Sequence, residues 1–194
     1  MSKELVFASA NENKVKEVEQ KMGGIVRLRG LKDIGCTDDI PETGTTLEDN
    51  ARQKAWYIWD KYRVNCFADD TGLEVFALNN EPGVMSARYA GPQKNPQDNM
   101  DKLLKALENE TNRTAQFRTV ICLIIDGQEK LIEGVVKGTI ARERSGLAGF
   151  GYDPIFIPEG HQVSFAEMTL EEKNAISHRG RAIKLLVDCL KSVD

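Results

Sequence analysis

No stretch of this 194-residue chain stays apolar over the roughly 20 residues that a membrane-spanning helix requires. The opening Met1-Ser2-Lys3-Glu4-Leu5 passes straight into a strand-like run with no leader pattern. The expectation is a cytoplasmic protein with no membrane partner. Cysteine is sparse: Cys36, Cys66, Cys122 and Cys189 are scattered and form no CxxC pair. Neither a disulfide framework nor a zinc site is expected, and reduced thiols are. Excess positive charge is missing too. The formal net charge is −4 and no aromatic-basic motif is present, so long-range attraction to DNA or RNA is not expected. Also absent are the phosphate-binding signature GxxxxGK[ST], the dinucleotide fingerprint GxGxxG and the nucleophile elbow GxSxG. No internal repeat or low-complexity linker divides the chain, which reads as a single domain over residues 1–194, either one ordinary domain or two closely packed lobes.

The composition that remains, 41% hydrophobic and 29% charged, is that of a globular chain able to bury a sizeable core. Leu5-Val6-Phe7-Ala8 predicts a short buried strand. A helix follows with Val15, Val18 and Met22 at helical spacing, stopped by Gly23-Gly24. Ile25 to Leu28 predicts a second strand, and residues 33–45 a polar loop. Thr45-Thr46-Leu47-Glu48 has the form of a capping box opening a helix to about Tyr62. Cys66-Phe67-Ala68 and Leu73 to Leu78 read as strands separated by Asp69-Asp70-Thr71-Gly72, and Pro96 to Leu107 as a helix. Phe117 to Ile125 and Lys130 to Lys137 flank Asp126-Gly127, a hairpin signal. Ile155-Phe156-Ile157 is a last strand, Thr169-Leu170-Glu171-Glu172 a second capping box, and Ile183, Leu186, Val187 and Leu190 mark a terminal helix. Early alternation of strand and helix followed by a hairpin predicts an α/β fold with a mixed sheet.

Four polar clusters follow strands, where open sheets often hold ligands. In Ser9-Ala10-Asn11-Glu12-Asn13-Lys14, a strand runs into a helix whose free N–H groups and dipole favour an anion, with Lys14 adding charge. An ordinary N-cap with a surface lysine is the plainer reading. Glu42, Asp69 and Asp70 are hard oxygen donors suited to magnesium, or else a turn closed by Gly72. Gly146 to Pro154 is a glycine-rich loop in which Phe150 or Tyr152 can stack on a base, or a tight loop with buried aromatics. The fourth cluster is Glu172-Lys173-Asn174-Ala175-Ile176-Ser177-His178-Arg179-Gly180-Arg181, though a lone histidine before a helix is more often structural.

Taken together and in order, these segments resemble the inosine/xanthosine triphosphate pyrophosphatase family. The strongest pieces are Ala68-Asp69-Asp70-Thr71-Gly72-Leu73, Pro82-Gly83-Val84-Met85-Ser86-Ala87-Arg88-Tyr89, Gly149-Phe150-Gly151-Tyr152-Asp153-Pro154 and Ser177-His178-Arg179-Gly180. The resemblance implies a two-lobed α/β protein with a long bent mixed sheet flanked by helices, a cleft between the lobes, and a homodimer. It implies hydrolysis of ITP, dITP and XTP to the monophosphate and pyrophosphate. Ser9 to Lys14 match the first triphosphate loop, with Lys54 and Lys173 as further phosphate contacts. Glu42 and Asp70 match the Mg2+ ligands. Asp70 also matches the proton acceptor, with Asp69 beside it as the second candidate, and Thr71 a substrate contact. Phe150, Gly151, Tyr152, Asp153, His178 and Arg179 match the base-recognition set. Two positions depart from the pattern: Ala10 replaces a glycine, which would strain the backbone if that position needed φ > 0, and Thr71 replaces a serine while keeping the hydroxyl.

The physical account of selectivity starts from the 6-keto oxygen of hypoxanthine and xanthine. Arg179 and a suitably protonated His178 are donors to it, whereas adenine presents an amino group there and leaves them unpaired. Two other readings compete: a Maf-like nucleotide pyrophosphatase of related fold, and a nucleotide-binding regulator without turnover. The Gly149–Pro154 and Ser177–Gly180 segments oppose the first. Glu42, Asp69, Asp70 and Lys14 oppose the second, because binding alone needs no water-activating carboxylate.

Overall fold

The computed structural model describes residues 4–22 and 24–191. The expected helix stop at Gly23 and the opening Met1-Ser2-Lys3 lie outside them. The chain divides into two compact units. One gathers the described residues of Met1–Asp70, Thr119–Gly134 and Arg179–Asp194, and the other holds Thr71–Arg118 and Val135–His178.

In the first unit, β1 (Glu4–Phe7) pairs in parallel with β2 (Arg27–Arg29) and with the start of β3 (Cys66–Val75), with Val6 opposite Cys66 and Phe7 opposite Phe67. The last part of β5 (Thr114–Ile125) and the first part of β6 (Gln128–Ile140) continue the sheet on the far side of β3. The Asp126-Gly127 turn joins these two as the expected hairpin, with both turn residues at positive φ. Side chains alternate along a strand, and that alternation sorts the helices. Leu5, Phe7 and Phe67 pack with Val18 and Met22 of α1 (Glu12–Met22) and with Ile183, Leu186 and Leu190 of α5 (His178–Lys191). The Phe7 and Phe67 rings stack at 4.6 Å. Cys66 points the other way, its thiol donating to the Ala55 carbonyl of α2 (Leu47–Tyr62) at 3.3 Å.

In the second unit, the end of β3 pairs antiparallel with β4 (Glu81–Gly83), and the end of β6 pairs antiparallel with β7 (Phe156–Pro158). Leu73, Val75, Ala115, Phe117, Val136 and Ile140 from β3, β5 and β6 form one core with Met100, Leu103 and Leu107, the first two on α3 (Pro96–Ala106). The short helix α4 (Leu170–Ile176) opens on Thr169, whose hydroxyl accepts from the Glu172 N–H while the Glu172 carboxylate accepts from the Thr169 N–H.

Several expected boundaries move. The capping box at Thr45 is instead a cap on Thr46, whose hydroxyl accepts from Asp49 N–H, because the helix begins one residue later. Residues 69–72 are not a turn; they lie inside β3, which runs unbroken from Cys66 to Val75. Gly72 is there for clearance: a Cβ on it would stand 2.6 Å from the Gly83 carbonyl oxygen. The strand expected to reach Leu78 ends at Val75 and gives way to a 3-10 turn over Phe76–Leu78. The strand expected at Ile155 starts at Phe156 after a 3-10 turn over Asp153–Ile155, and the one expected at Ile25 starts at Arg27.

Candidate active site

The Asp69-Asp70 pair sits mid-strand, and the period-2 alternation sends its two carboxylates to opposite faces. Asp69 points toward α1 and α5. Its Oδ1 accepts from the Lys14 ammonium at 3.0 Å and its Oδ2 from Arg179 Nε at 3.2 Å. Arg179 is 1% exposed and its Nη1 donates to Glu17 of α1. Asp70 points toward α2, where its Oδ2 accepts from the Asn50 amide at 3.0 Å and its Oδ1 lies 3.9 Å from the Lys54 ammonium. Lys54 also donates to Glu42 and, at 2.7 Å, to the Asp69 carbonyl. One unit therefore gathers Lys14, Lys54 and Arg179 with Glu17, Glu42, Asp69 and Asp70.

The surroundings pull the two aspartates apart electrically. Burial works against the Asp69 charge, but Lys14, Arg179 and Lys54 outweigh it and hold the carboxyl well below the usual carboxylate range. At Asp70 burial wins over Lys54, Lys14 and the Asn50 bond, and raises the carboxyl. Burial lowers Lys14 against the pull of Asp69. Burial also opposes the Lys54 charge, yet Asp70, Asp69 and Glu42 prevail and raise it. Asp69 is thus held as an ion-pair anchor, and the Asp70 carboxyl is the more basic of the two.

A metal ion at this cluster would draw on Glu42 and Asp70, both beside the Lys54 ammonium. Among the described residues no group of three or more His, Cys, Asp or Glu is placed to hold a metal. Two carboxylates are nonetheless what magnesium commonly takes from a protein, the rest of its shell coming from phosphates and water. The donor chemistry fits that ion.

The Ser9-to-Lys14 segment joins β1 to α1. Asn11 Oδ1 caps the helix, accepting from the Asn13 N–H at 3.0 Å and the Lys14 N–H at 3.3 Å. Two of the expected anion donors are therefore occupied by the chain's own cap. Ala10 is exposed and is not among the residues with positive φ, so alanine in place of glycine carries no backbone strain here.

In the second unit, Asp153 organises the glycine-rich loop. Its Oδ2 accepts from the Phe150 N–H at 2.8 Å and from the Lys173 ammonium at 2.7 Å. That ammonium lies 4.6 Å from the Phe150 ring centre. Lys173, expected on a phosphate, is 3% exposed and serves this loop. Gly149, at φ 75°, leaves no room for a Cβ, which would fall 2.2 Å from Asp153 Oδ2. The half-buried Phe150 keeps its place as a stacking candidate. Tyr152 does not: it is buried and its hydroxyl donates to the Ser86 carbonyl at 2.8 Å. His178 stacks on Phe117 at 4.6 Å, and Thr71 stands half-buried in β3.

Sequence reasoning missed Glu17 and Asn50. Both are buried polar residues at helical spacing from an expected site lysine, Glu17 three residues after Lys14 and Asn50 four residues before Lys54. Their place one helical turn from a site lysine was the signal that could have found them.

Comparison with known proteins matches the Ham1 family over residues 5–189. The dITP/XTP pyrophosphatase of Flavobacterium psychrophilum is 55% identical over 189 residues, covering 97% of this chain and 100% of that protein. The dITP/XTP pyrophosphatase of Bacillus subtilis is 45% identical over 199 residues, covering 98% of each. Among solved structures, the Ham1 protein of Staphylococcus aureus superposes with a TM-score of 0.91 at 41% identity, covering 99% of this chain and 100% of that one.

Proposed function

The chain belongs to the Ham1 family, and from that membership and the cluster around Asp69 and Asp70 we propose that it hydrolyses non-standard purine nucleoside triphosphates, ITP, dITP and XTP, to the monophosphate and pyrophosphate. The observation that carries the reading is the divergence of two adjacent carboxylates. One is fixed by Lys14 and Arg179, and the other is raised toward basicity beside Asn50, Lys54 and Glu42.

Water attacks the α-phosphorus, the bond from that phosphorus to the bridging oxygen breaks, and pyrophosphate leaves. Asp70 accepts the proton of the attacking water. Lys14 and Lys54 neutralise charge gathering on the leaving group, Ser9 to Asn13 and Thr71 orient the phosphates, and Lys173 adds a contact. Glu42 and Asp70 would hold magnesium, which would supply Lewis-acid chemistry toward the phosphate oxygens. Phe150, Gly151 and Asp153 receive the base, with Tyr152 tying the loop to the Ser86 carbonyl. His178 and Arg179 donate to the 6-keto oxygen; a guanidinium fork has five N–H groups and can serve carboxylates and a base together. The resemblance supports a homodimer. The scattered, unpatterned spacing of Cys36, Cys66, Cys122 and Cys189 supports a cytoplasmic setting. No helix among the described residues is long and apolar enough to cross a membrane.

Hydrolysis of ITP in 18O-labelled water tests the bond broken. Label in the phosphate of IMP with unlabelled pyrophosphate is the expected result. Orthophosphate release, or label in pyrophosphate, would overturn the proposal.

A further inference from the structure

The polar segment before α2 is laced along that helix in antiparallel order. Asp38 accepts from the Tyr57 hydroxyl at 2.8 Å and from Lys61. Glu42 meets Lys54. The Thr43 N–H donates to Gln53 Oε1 at 2.9 Å, and Gln53 Nε2 returns a bond to the Thr43 hydroxyl at 3.0 Å. The Gly44 N–H donates to Asn50 Oδ1 at 2.8 Å. Residues 50, 53, 54, 57 and 61 fall on one helical face, so one stripe of α2 receives the whole strap.

Asn50 is the rung that does two things. It is 2% exposed, and its amide is oriented by its partners: a backbone N–H needs the oxygen and a carboxylate needs the NH2. Its Oδ1 holds the strap at Gly44, two residues from Glu42, and its Nδ2 holds Asp70 at 3.0 Å. A leucine of similar size would offer neither bond. Gly44 completes the fit, since a Cβ there would stand 2.6 Å from Asp49 Cβ and 2.8 Å from Asn50 Oδ1.

We propose that Asn50 is a positioning residue for the divalent cation: it ties the backbone beside Glu42 to the Asp70 carboxylate, so that both carboxylates are set before the ion arrives. The inference rests on the functional reading above, in which Glu42 and Asp70 are the ligands. Hydrogen-bond partners of ligating carboxylates set their orientation, and losing one commonly costs about 10–100-fold in metal affinity.

The test uses Mn2+ as probe, titrated without nucleotide into wild type, Asn50→Leu and Gly44→Ala, with binding read from the electron paramagnetic resonance of the free ion. Thermal melting and the Mg2+ dependence of pyrophosphate release from ITP are recorded alongside. Asn50→Leu removes both bonds, whereas Gly44→Ala keeps Asn50 and its bond to Asp70 but forces the strap away. Both variants should bind Mn2+ about tenfold or more weakly. The Mg2+ activation constant should rise in parallel, and KM for ITP at saturating Mg2+ should change far less. Should Asn50→Leu fail to fold, Gly44→Ala carries the test alone. Wild-type Mn2+ affinity in the folded variants, with normal turnover by wild type, overturns the positioning role and leaves the functional reading standing. No Mg2+-dependent pyrophosphate release by wild type overturns that reading and this inference with it.

Discussion

Arg179→Ala puts the buried ion-pair network to a quantitative test. Arg179 is the cation that Glu17 and Asp69 share, and its side chain and both carboxylates are 2–3% exposed. Removing one partner of a buried pair typically costs about 3–5 kcal/mol, because the charge left behind has been taken out of water. Lys14 still pairs with Asp69 in the variant, which places the loss near the lower end, about 3 kcal/mol. At about 2 kcal/mol per molar urea, that moves the unfolding midpoint down by roughly 1.5 M. Arg27→Ala is the control: its pair with Glu4 is 70% and 43% exposed, and such surface pairs are worth at most about 1 kcal/mol. Asp69 is held below its ordinary value of about 3.9, so its ion-pair stability is fully present above that value and lost only as pH falls through the lowered one. The deficit should therefore stay constant across the neutral range. Urea titrations of both variants by circular dichroism at pH 7 decide the matter. An Arg179→Ala midpoint no lower than that of Arg27→Ala would refute the reasoning.

Three further outcomes follow from the same geometry. Asp70→Asn keeps the shape but removes the proton acceptor, so kcat for ITP should fall by roughly 10²–10⁴-fold, and a loss under tenfold would give the role to another group. Arg179→Lys keeps a charge but loses the fork, and the preference for ITP over ATP should drop in competition assays; an unchanged ratio would remove Arg179 from base recognition. Burial pushes the Cys66 and Cys122 thiols up to about 12, so both should resist a thiol reagent at pH 8 and react on unfolding, and rapid labelling of native protein would contradict their burial.

Much of the architecture was legible because period and punctuation agreed. Leu5 to Ala8 and the α5 stripe of Ile183, Leu186, Val187 and Leu190 read correctly, and so did Asp126-Gly127 and the Thr169 cap. The Asp69-to-Gly72 segment misled because adjacent acids before a glycine look like a turn. Inside β3 those acids are tolerated only because cations from three helices meet them, and no local pattern encodes that. The same long-range pairing explains why Asp69 and Asp70 were inseparable in the sequence and are distinct in the structure. Strand parity and the order of side chains could have predicted opposite faces, but only once the strand was known to be unbroken. Tyr152 illustrates the reverse case, an aromatic in a recognition-like loop whose hydroxyl is spent on the Ser86 carbonyl.

The most direct test is pyrophosphate release from ITP, XTP, dITP, GTP and ATP, each with Mg2+ and with excess chelator. The account predicts fast Mg2+-dependent release from the first three, with GTP and ATP nearly inert. Equal turnover of all five would contradict the selectivity, and release that persists undiminished in chelator would contradict the role given to Glu42 and Asp70.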